Sequence, residues 1–322
     1  MFFSKLSTMS LFTLSSKASP TSAPATHEQK QHARRGLVLF FLLVFPLAVL
    51  FEGVTIVKQD AFSLFCLMWT PGLASLVTRL VLREGFSTVS FRVHGRRTLH
   101  AIGMALLIPV GIGLVAYGLA WITGLTPFVH FHASATLSLF LSLLGTHPSF
   151  PTLVGFAVLF AAAETISATG EELGWRGYLL THLIEAGVPR PVLVSGLIWS
   201  LWHWPLILFG TSGPGVPRVV SASIFLVTIT SLGYLIAHLR LSTGSLWPAV
   251  VCHAAWNSTI LELFDSFTRG ANTSLWTGEA GMLVALTALV TVFIFRQHQR
   301  HHPRRQEAPG FQPWGGMPPS FR

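Results

Sequence analysis

Apolar runs of about 20 residues constrain this chain more than any other feature. Eight of them can be marked between residues 36 and 295, and a membrane-crossing α-helix needs about 20 mostly apolar residues. Charged residues make up only 10% of the chain, against about a quarter in soluble domains. The pattern predicts an all-α, polytopic membrane bundle of about eight transmembrane helices. We expect the spans at about 36–57, 61–83, 99–123, 151–172, 191–210, 219–240, 246–265 and 276–295.

The two ends of the chain differ from this membrane domain in composition. Residues 1–35 and 296–322 are polar, basic and rich in proline or serine, and they lack a long apolar core. We therefore expect disordered cytosolic tails on either side of a membrane domain at 36–295. The segment 130–146 is apolar but short, which favours an interfacial or re-entrant helix.

Lysine and arginine positions predict the orientation in the membrane. With eight spans, 18 of the 21 basic residues fall on the side of the two tails. Cytosolic loops carry this excess of positive charge, so we expect a multi-pass protein with both termini in the cytosol, and the plasma membrane if it is bacterial. The net charge of +9 lies in tails and short loops, which argues against a nucleic-acid partner.

Few polar groups remain at depth, and they cluster in three stretches in the second half of the chain. Ionisable groups inside a membrane are costly and commonly functional. Each stretch contains a pair of side chains four residues apart, which share one face of a helix. The stretches are "GEELGWRG" (170–177) with Glu172 and Arg176, "WSLWHWP" (199–205) with Trp199 and His203, and "TGSLWPAVVCHAAWNS" (243–258) with His253 and Asn257. The expected topology places them at similar depth, around one cavity open to the cytosol.

The residue types in these stretches permit two kinds of chemistry. A glutamate can take a proton from water with the help of an imidazole, while a second imidazole and an amide stabilise an oxyanion. One glutamate and two histidines could instead hold a zinc ion with one open position. The usual H-E-x-x-H zinc motif does not occur in the sequence.

The three stretches resemble the ordered motifs of the CPBP family, which comprises type II CAAX prenyl proteases and bacteriocin-processing or Abi-type proteins. "EELGWRG" resembles its E-E-x-x-x-R motif, "WSLWH" its F-x-x-x-H motif and "HAAWN" its H-x-x-x-N motif. The resemblance covers about residues 60–265. Trp199 stands where the family usually has phenylalanine, which concerns the shape of the cavity.

The resemblance implies a role for each motif residue. Glu171 and His203 would activate water, and His253 and Asn257 would form the oxyanion site. Glu172 and Arg176 would support them. If the enzyme is metal-dependent, Glu171, His203 and His253 would bind the ion, zinc being the expected metal; otherwise no cofactor is expected.

Glu164 lies seven residues before Glu171, on the same helical face. It could line the cavity, as Trp199 could, or lie behind the residues that line it, or act in protonated form as an interhelical hydrogen-bond donor.

The sequence therefore predicts an intramembrane endopeptidase that cuts a membrane-associated substrate near the cytosolic face. A prenylated CAAX-type protein and a bacteriocin or pheromone precursor are both open as substrates. The alternative is a non-catalytic immunity or scaffold protein that binds a partner in the same cavity. A small-solute transporter is a third option, although no internal repeat stands out.

Overall fold

The computed structural model describes residues 26–93, 95–130, 150–210 and 215–301, together with Ser142 and Gly145. These residues contain eleven α-helices. They are α1 His27–Lys58, α2 Ala61–Val81, α3 Gly95–Ile122, α4 Phe150–Gly174, α5 Leu180–Glu185, α6 Pro191–Trp202, α7 Trp204–Phe209, α8 Arg218–Thr243, α9 Trp247–Trp256, α10 Thr273–Trp276 and α11 Met282–His301. Two π-helices continue α4 and α9, namely π1 Trp175–Leu179 and π2 Asn257–Phe264, and a 3₁₀ turn follows at Asp265–Phe267.

The predicted all-α fold is confirmed. The described ranges hold no β-strand, only an isolated bridge between Phe128 and Thr268. Six helices in them are long and apolar enough to cross a membrane. They are α1, α2, α3, α6 with α7 as one segment (Pro191–Phe209), α8 and α11. The predicted count of eight is not confirmed; the two other expected spans correspond to α4 and to α9 with its continuation π2.

The first helix begins earlier than the sequence pattern predicted. We expected residues 1–35 to form a tail, but α1 begins at His27. Thr26 and Gln29 form a reciprocal capping box, which satisfies two backbone donors at the start of a helix. Apolar periodicity cannot locate such a start, because the first turns of α1 are polar. Residues 1–25 and 302–322, and most of the predicted segment 130–146, lie outside the described residues.

The helix carrying the first motif packs between two partners. One side of α4 contacts α2 and another contacts α9, while α6 packs on α8. The crossing of α2 and α4 is very close, because a Cβ atom on Gly72 would lie 2.6 Å from the backbone oxygen of Gly170. Small residues allow this approach between membrane helices. The close crossing fixes the end of α4, where the first motif lies.

Replacing Gly72 by alanine is expected to destabilise the protein, because the new methyl group meets backbone that can only move with its helix. Overpacking of this kind costs about 1–3 kcal/mol. Thermal unfolding of the purified chain in detergent measures the effect. Gly103→Ala in α3 is the matched control, since a Cβ there meets nothing within 4 Å. Equal melting temperatures for both variants would contradict the close crossing.

Candidate active site

Glu171 lies one turn before the end of α4, and its side chain is 2% exposed. Two indole groups donate hydrogen bonds to the same carboxylate oxygen. Trp199 Nε1 lies 2.6 Å from Oε2 of Glu171, and Trp175 Nε1 lies 3.2 Å from it. Hydrogen bonds to a charged acceptor are among the stronger ones in proteins. The carboxylate is therefore held in one orientation by residues of two helical segments.

Two histidines approach this carboxylate from different helices. His203 Nε2 lies 3.8 Å from Glu171 Oε2, and His253 Nε2 lies 3.8 Å from Glu171 Oε1. His203 sits at the break between α6 and α7, where Pro205 follows and cannot donate a backbone hydrogen bond to continue the helix. Its side chain is 17% exposed, whereas that of His253 is only 5% exposed.

A buried ion pair lies behind His253. Arg176 Nη1 donates to Glu172 Oε1 at 2.7 Å, and both side chains are 0% exposed. The same carboxylate oxygen lies 2.9 Å from His253 Nδ1. The Arg176 guanidinium also stacks on the Trp199 ring, 4.1 Å from its centroid, in cation–π geometry. Glu172 thereby orients the His253 ring so that its Nε2 faces Glu171.

Asn257 is bonded to the carboxylate of Glu164. Its Nδ2 donates to Glu164 Oε2 at 2.7 Å. Glu164 therefore forms an interhelical hydrogen bond, as one of the sequence interpretations proposed, but it acts as the acceptor. A carboxamide has two N–H hydrogens on one nitrogen, so this contact fixes the Asn257 side chain and leaves its second hydrogen for another acceptor.

The two π-helices begin at the ends of the motifs. π1 starts at Trp175, directly after the last turn that carries Glu171 and Glu172, and π2 starts at Asn257. π-Helical segments are rare and often occur at functional sites, because the wider turn changes the direction of side chains. Sequence periodicity did not predict them, and α4 continues through π1 into α5.

A second polar cluster, centred on Glu84, contacts π1 through Tyr178. His32 Nε2 and His182 Nε2 lie 3.1 and 3.3 Å from Glu84 Oε1, and the Tyr178 hydroxyl donates to the same oxygen at 3.5 Å. Burial alone would raise the pKa of Glu84, but the hydrogen bond from His182 and the charges of His182, His32 and Arg79 hold that pKa below its usual value. Glu84 thus ties π1 to α1 and to the segment after α2.

Glu171, His203 and His253 do not form a metal site in the part of the chain that the structure describes. No group of three or more His, Cys, Asp or Glu side chains there is arranged to hold a metal ion, and this includes Glu171, His203 and His253. One oxygen of Glu171 is also occupied by the two indole N–H groups.

The structure brings most of the predicted site residues together. Glu171, His203 and His253 converge, Glu172 and Arg176 pair as their spacing predicted, and Asn257 joins them through Glu164. Their catalytic roles remain predictions. Sequence reasoning missed Trp175, although its spacing of four residues from Glu171 places it on the same helical face. It also placed Trp199 at the cavity without recognising its hydrogen bond to Glu171.

Comparison with known proteins points to the same region. Residues 149–259 match the family model described as type II CAAX prenyl endopeptidase Rce1-like. A CAAX prenyl protease 2 from Methanococcus maripaludis is 44% identical over 48 residues, which is 15% of this chain and 18% of that relative. The alignment thus spans less than a fifth of the relative's length.

The matched region contains all three motifs and the residues that converge around Glu171. Together with the six apolar helices, the match identifies an integral membrane protein. The resemblance predicted from the three motifs is confirmed: residues 149–259 of this chain match the Rce1-like family of type II CAAX prenyl endopeptidases.

Proposed function

We propose that this protein is an intramembrane endopeptidase that hydrolyses a peptide bond with water activated at Glu171. The observation that carries the proposal is the meeting of the Glu171 carboxylate with Nε2 of His203 and of His253, each at 3.8 Å. That separation is too long for a direct hydrogen bond, and one water molecule can bridge groups at such a distance. His203, the more exposed of the two rings, is the side from which water enters.

The proposed reaction needs only groups of this chain. Glu171 takes a proton from water hydrogen-bonded to His203, and the water oxygen bonds to the carbonyl carbon of the scissile peptide. The carbonyl oxygen becomes an oxyanion. The carbon–nitrogen bond then breaks, and the proton held by Glu171 passes to the leaving nitrogen. The products are a carboxylic acid and an amine, the proton of the acid passes to the amine to give a carboxylate and an ammonium group, and Glu171 is again ionised.

Two donors are available for the oxyanion. His253 Nδ1 is committed to Glu172, so its Nε2 carries a hydrogen only when both ring nitrogens are protonated. The carboxylates of Glu171 and Glu172 compensate the charge of that form. The second Nδ2 hydrogen of Asn257 is the other donor, and Glu164 holds the amide in place. Donors fixed before the reaction stabilise developing charge without reorganisation.

The proposed substrate is a membrane-associated protein or peptide, cut near the cytosolic face with both termini of this chain in the cytosol. A soluble peptide would not require a site within a helical membrane domain. The family match and the name of the Methanococcus maripaludis relative favour a prenylated CAAX-type substrate, and a bacteriocin or pheromone precursor is the other substrate class that the motifs permit.

Comparative peptidomics tests the proposal directly. Membranes from cells producing the wild-type chain are expected to contain cleavage products that are missing with Glu171→Gln and with His203→Ala. If both variants retain the wild-type peptidome and full biological function, the protein is not a protease. The non-catalytic scaffold alternative would then explain the site.

A chelator separates the glutamate mechanism from the zinc alternative. The purified chain is expected to keep its peptidase activity after prolonged treatment with a strong zinc chelator, because the proposed steps use only side chains. The matched measurement adds Zn²⁺ to the treated sample. Activity that disappears on chelation and returns with Zn²⁺ would contradict the metal-free mechanism and support binding by Glu171, His203 and His253.

A further inference from the structure

A carboxylate outside all three motifs accepts a hydrogen bond from α9, the helix that carries the His253 motif. Glu279 lies between α10 and α11, beyond the region that matches the family model. Its Oε1 accepts a hydrogen bond from Trp256 Nε1 at 2.6 Å. Trp256 is fully buried, so its N–H is out of reach of bulk water and depends on a protein acceptor. It directly precedes Asn257, at the turn where α9 becomes π2.

The segment around Glu279 is itself anchored. The backbone N–H of Gly278 donates to the Tyr117 hydroxyl at 2.9 Å, and that hydroxyl contacts the carboxylate of Asp265. Gly278 has a φ of +77°, a conformation that glycine adopts without strain. A fixed turn therefore presents Glu279 to Trp256, and connects the start of α11 with α3 and with the residues after π2.

Glu279 also belongs to the electrostatic environment of the candidate site. Burial raises the pKa of Glu279 to about 7, the hydrogen bond from Trp256 opposes that rise, and the charges of His253, Glu171 and Asp265 act on the same carboxylate. A neutral glutamine could accept from Trp256 without the cost of burying a charge. The negative charge of Glu279 can therefore be separated experimentally from its hydrogen bond to Trp256.

We propose that Glu279 is a positioning residue of the hydrolytic site. Through Trp256 it fixes the turn that carries His253 and Asn257, and its negative charge favours the doubly protonated His253 ring that donates from Nε2. The inference rests on the proposed function, because the oxyanion role of His253 belongs to it. It adds a residue from outside the matched family region to the machinery of the site.

Three substitutions separate the two contributions. Glu279→Gln keeps an acceptor for Trp256 and removes the charge, Glu279→Leu removes both, and Trp256→Phe removes the donor. In proteoliposomes with a farnesylated peptide ending in a CAAX sequence, we expect Glu279→Gln to lower kcat about tenfold and leave KM within about twofold, as for an interaction made in the transition state. Glu279→Leu is expected to lose about another tenfold.

Thermal unfolding in detergent gives a readout that does not depend on activity. The raised pKa of Glu279 favours the folded state at low pH, and this contribution is lost as the pH rises through about 7. Glutamine removes that loss. The melting temperature of Glu279→Gln relative to wild type is therefore expected to rise from about pH 5 to about pH 9, so the variant becomes relatively more stable while it is less active.

Glu28→Gln is the control, because Glu28 is an exposed carboxylate in the first turn of α1. Its kcat should equal that of wild type. A wild-type kcat for Glu279→Gln would overturn the inference. A melting temperature of Glu279→Gln that lies below that of wild type by the same amount at every pH would also overturn it, because it indicates a purely structural role. If Glu171→Gln abolishes peptide cleavage but the Glu279 variants cleave at the wild-type rate, the role of Glu279 is disproved and the proposed function stands. If Glu171→Gln cleaves at the wild-type rate, both are disproved.

Discussion

Replacing Glu171 by glutamine is expected to lower the rate of peptide cleavage by about 10³-fold, within the range that general bases contribute. The amide oxygen can still accept from Trp175 and Trp199, so the fold is kept. The amide cannot take a proton from water, and the first step of the reaction stops. The measurement is the single-turnover rate of the purified chain with a farnesylated CAAX peptide.

Glu28→Gln is the control for this measurement, because Glu28 is an exposed carboxylate in the first turn of α1. Its rate should match that of wild type. The melting temperature of Glu171→Gln should not fall, which separates loss of chemistry from loss of folding. A Glu171→Gln protein that cleaves at the wild-type rate would show that this carboxylate is not the base.

Removing the arginine of the buried ion pair should have the largest effect on stability. Arg176→Met removes the guanidinium from the buried Glu172 carboxylate and leaves the His253 ring against its Oε1, and removing one partner of a buried pair costs about 3–5 kcal/mol. Within the described part of the chain, Glu172 Oε2 has no hydrogen-bond partner that could compensate. Thermal unfolding in detergent should therefore show a large decrease in melting temperature.

The double variant Glu172→Gln with Arg176→Met supplies the decisive comparison. With both charges removed, much of the lost stability should return, since replacing a whole buried pair by neutral groups is often close to neutral. Arg97→Met, at an exposed position in α3, controls for the loss of a positive charge. If the single and double variants unfold at the same temperature, the ion pair does not hold this part of the site together.

The side chains that share a helical face within each of the three motifs could be predicted from sequence, because each motif is a short helical pattern. Side chains four residues apart share a face, which placed Arg176 beside Glu172. The approach of His203 and His253 to Glu171 required the family resemblance as well, because periodicity within one helix does not determine which other helix it meets. The fold class could be predicted because the length of an apolar run, which is a local property of the sequence, indicates a membrane-crossing helix.

Contacts between distant segments could not be predicted. The hydrogen bond from Trp199 to Glu171 joins residues 28 positions apart, and that from Asn257 to Glu164 joins residues 93 positions apart. Sequence spacing does not indicate which residue of another helix will accept a hydrogen bond from an indole or an amide. The early start of α1 was missed for a different reason, because a capping box at Thr26 extends a helix into polar sequence.

The geometry of the site depends on the number of residues in the two π-helices. One residue advances an α-helix by about 100°, so deleting a residue within π2 would restore an α-helical turn and rotate everything that follows it. Glu279 would then be displaced from Trp256, even though every motif residue remained in place. Homologous chains that keep this arrangement should therefore tolerate insertions and deletions in exposed loops, but not between His253 and the end of π2.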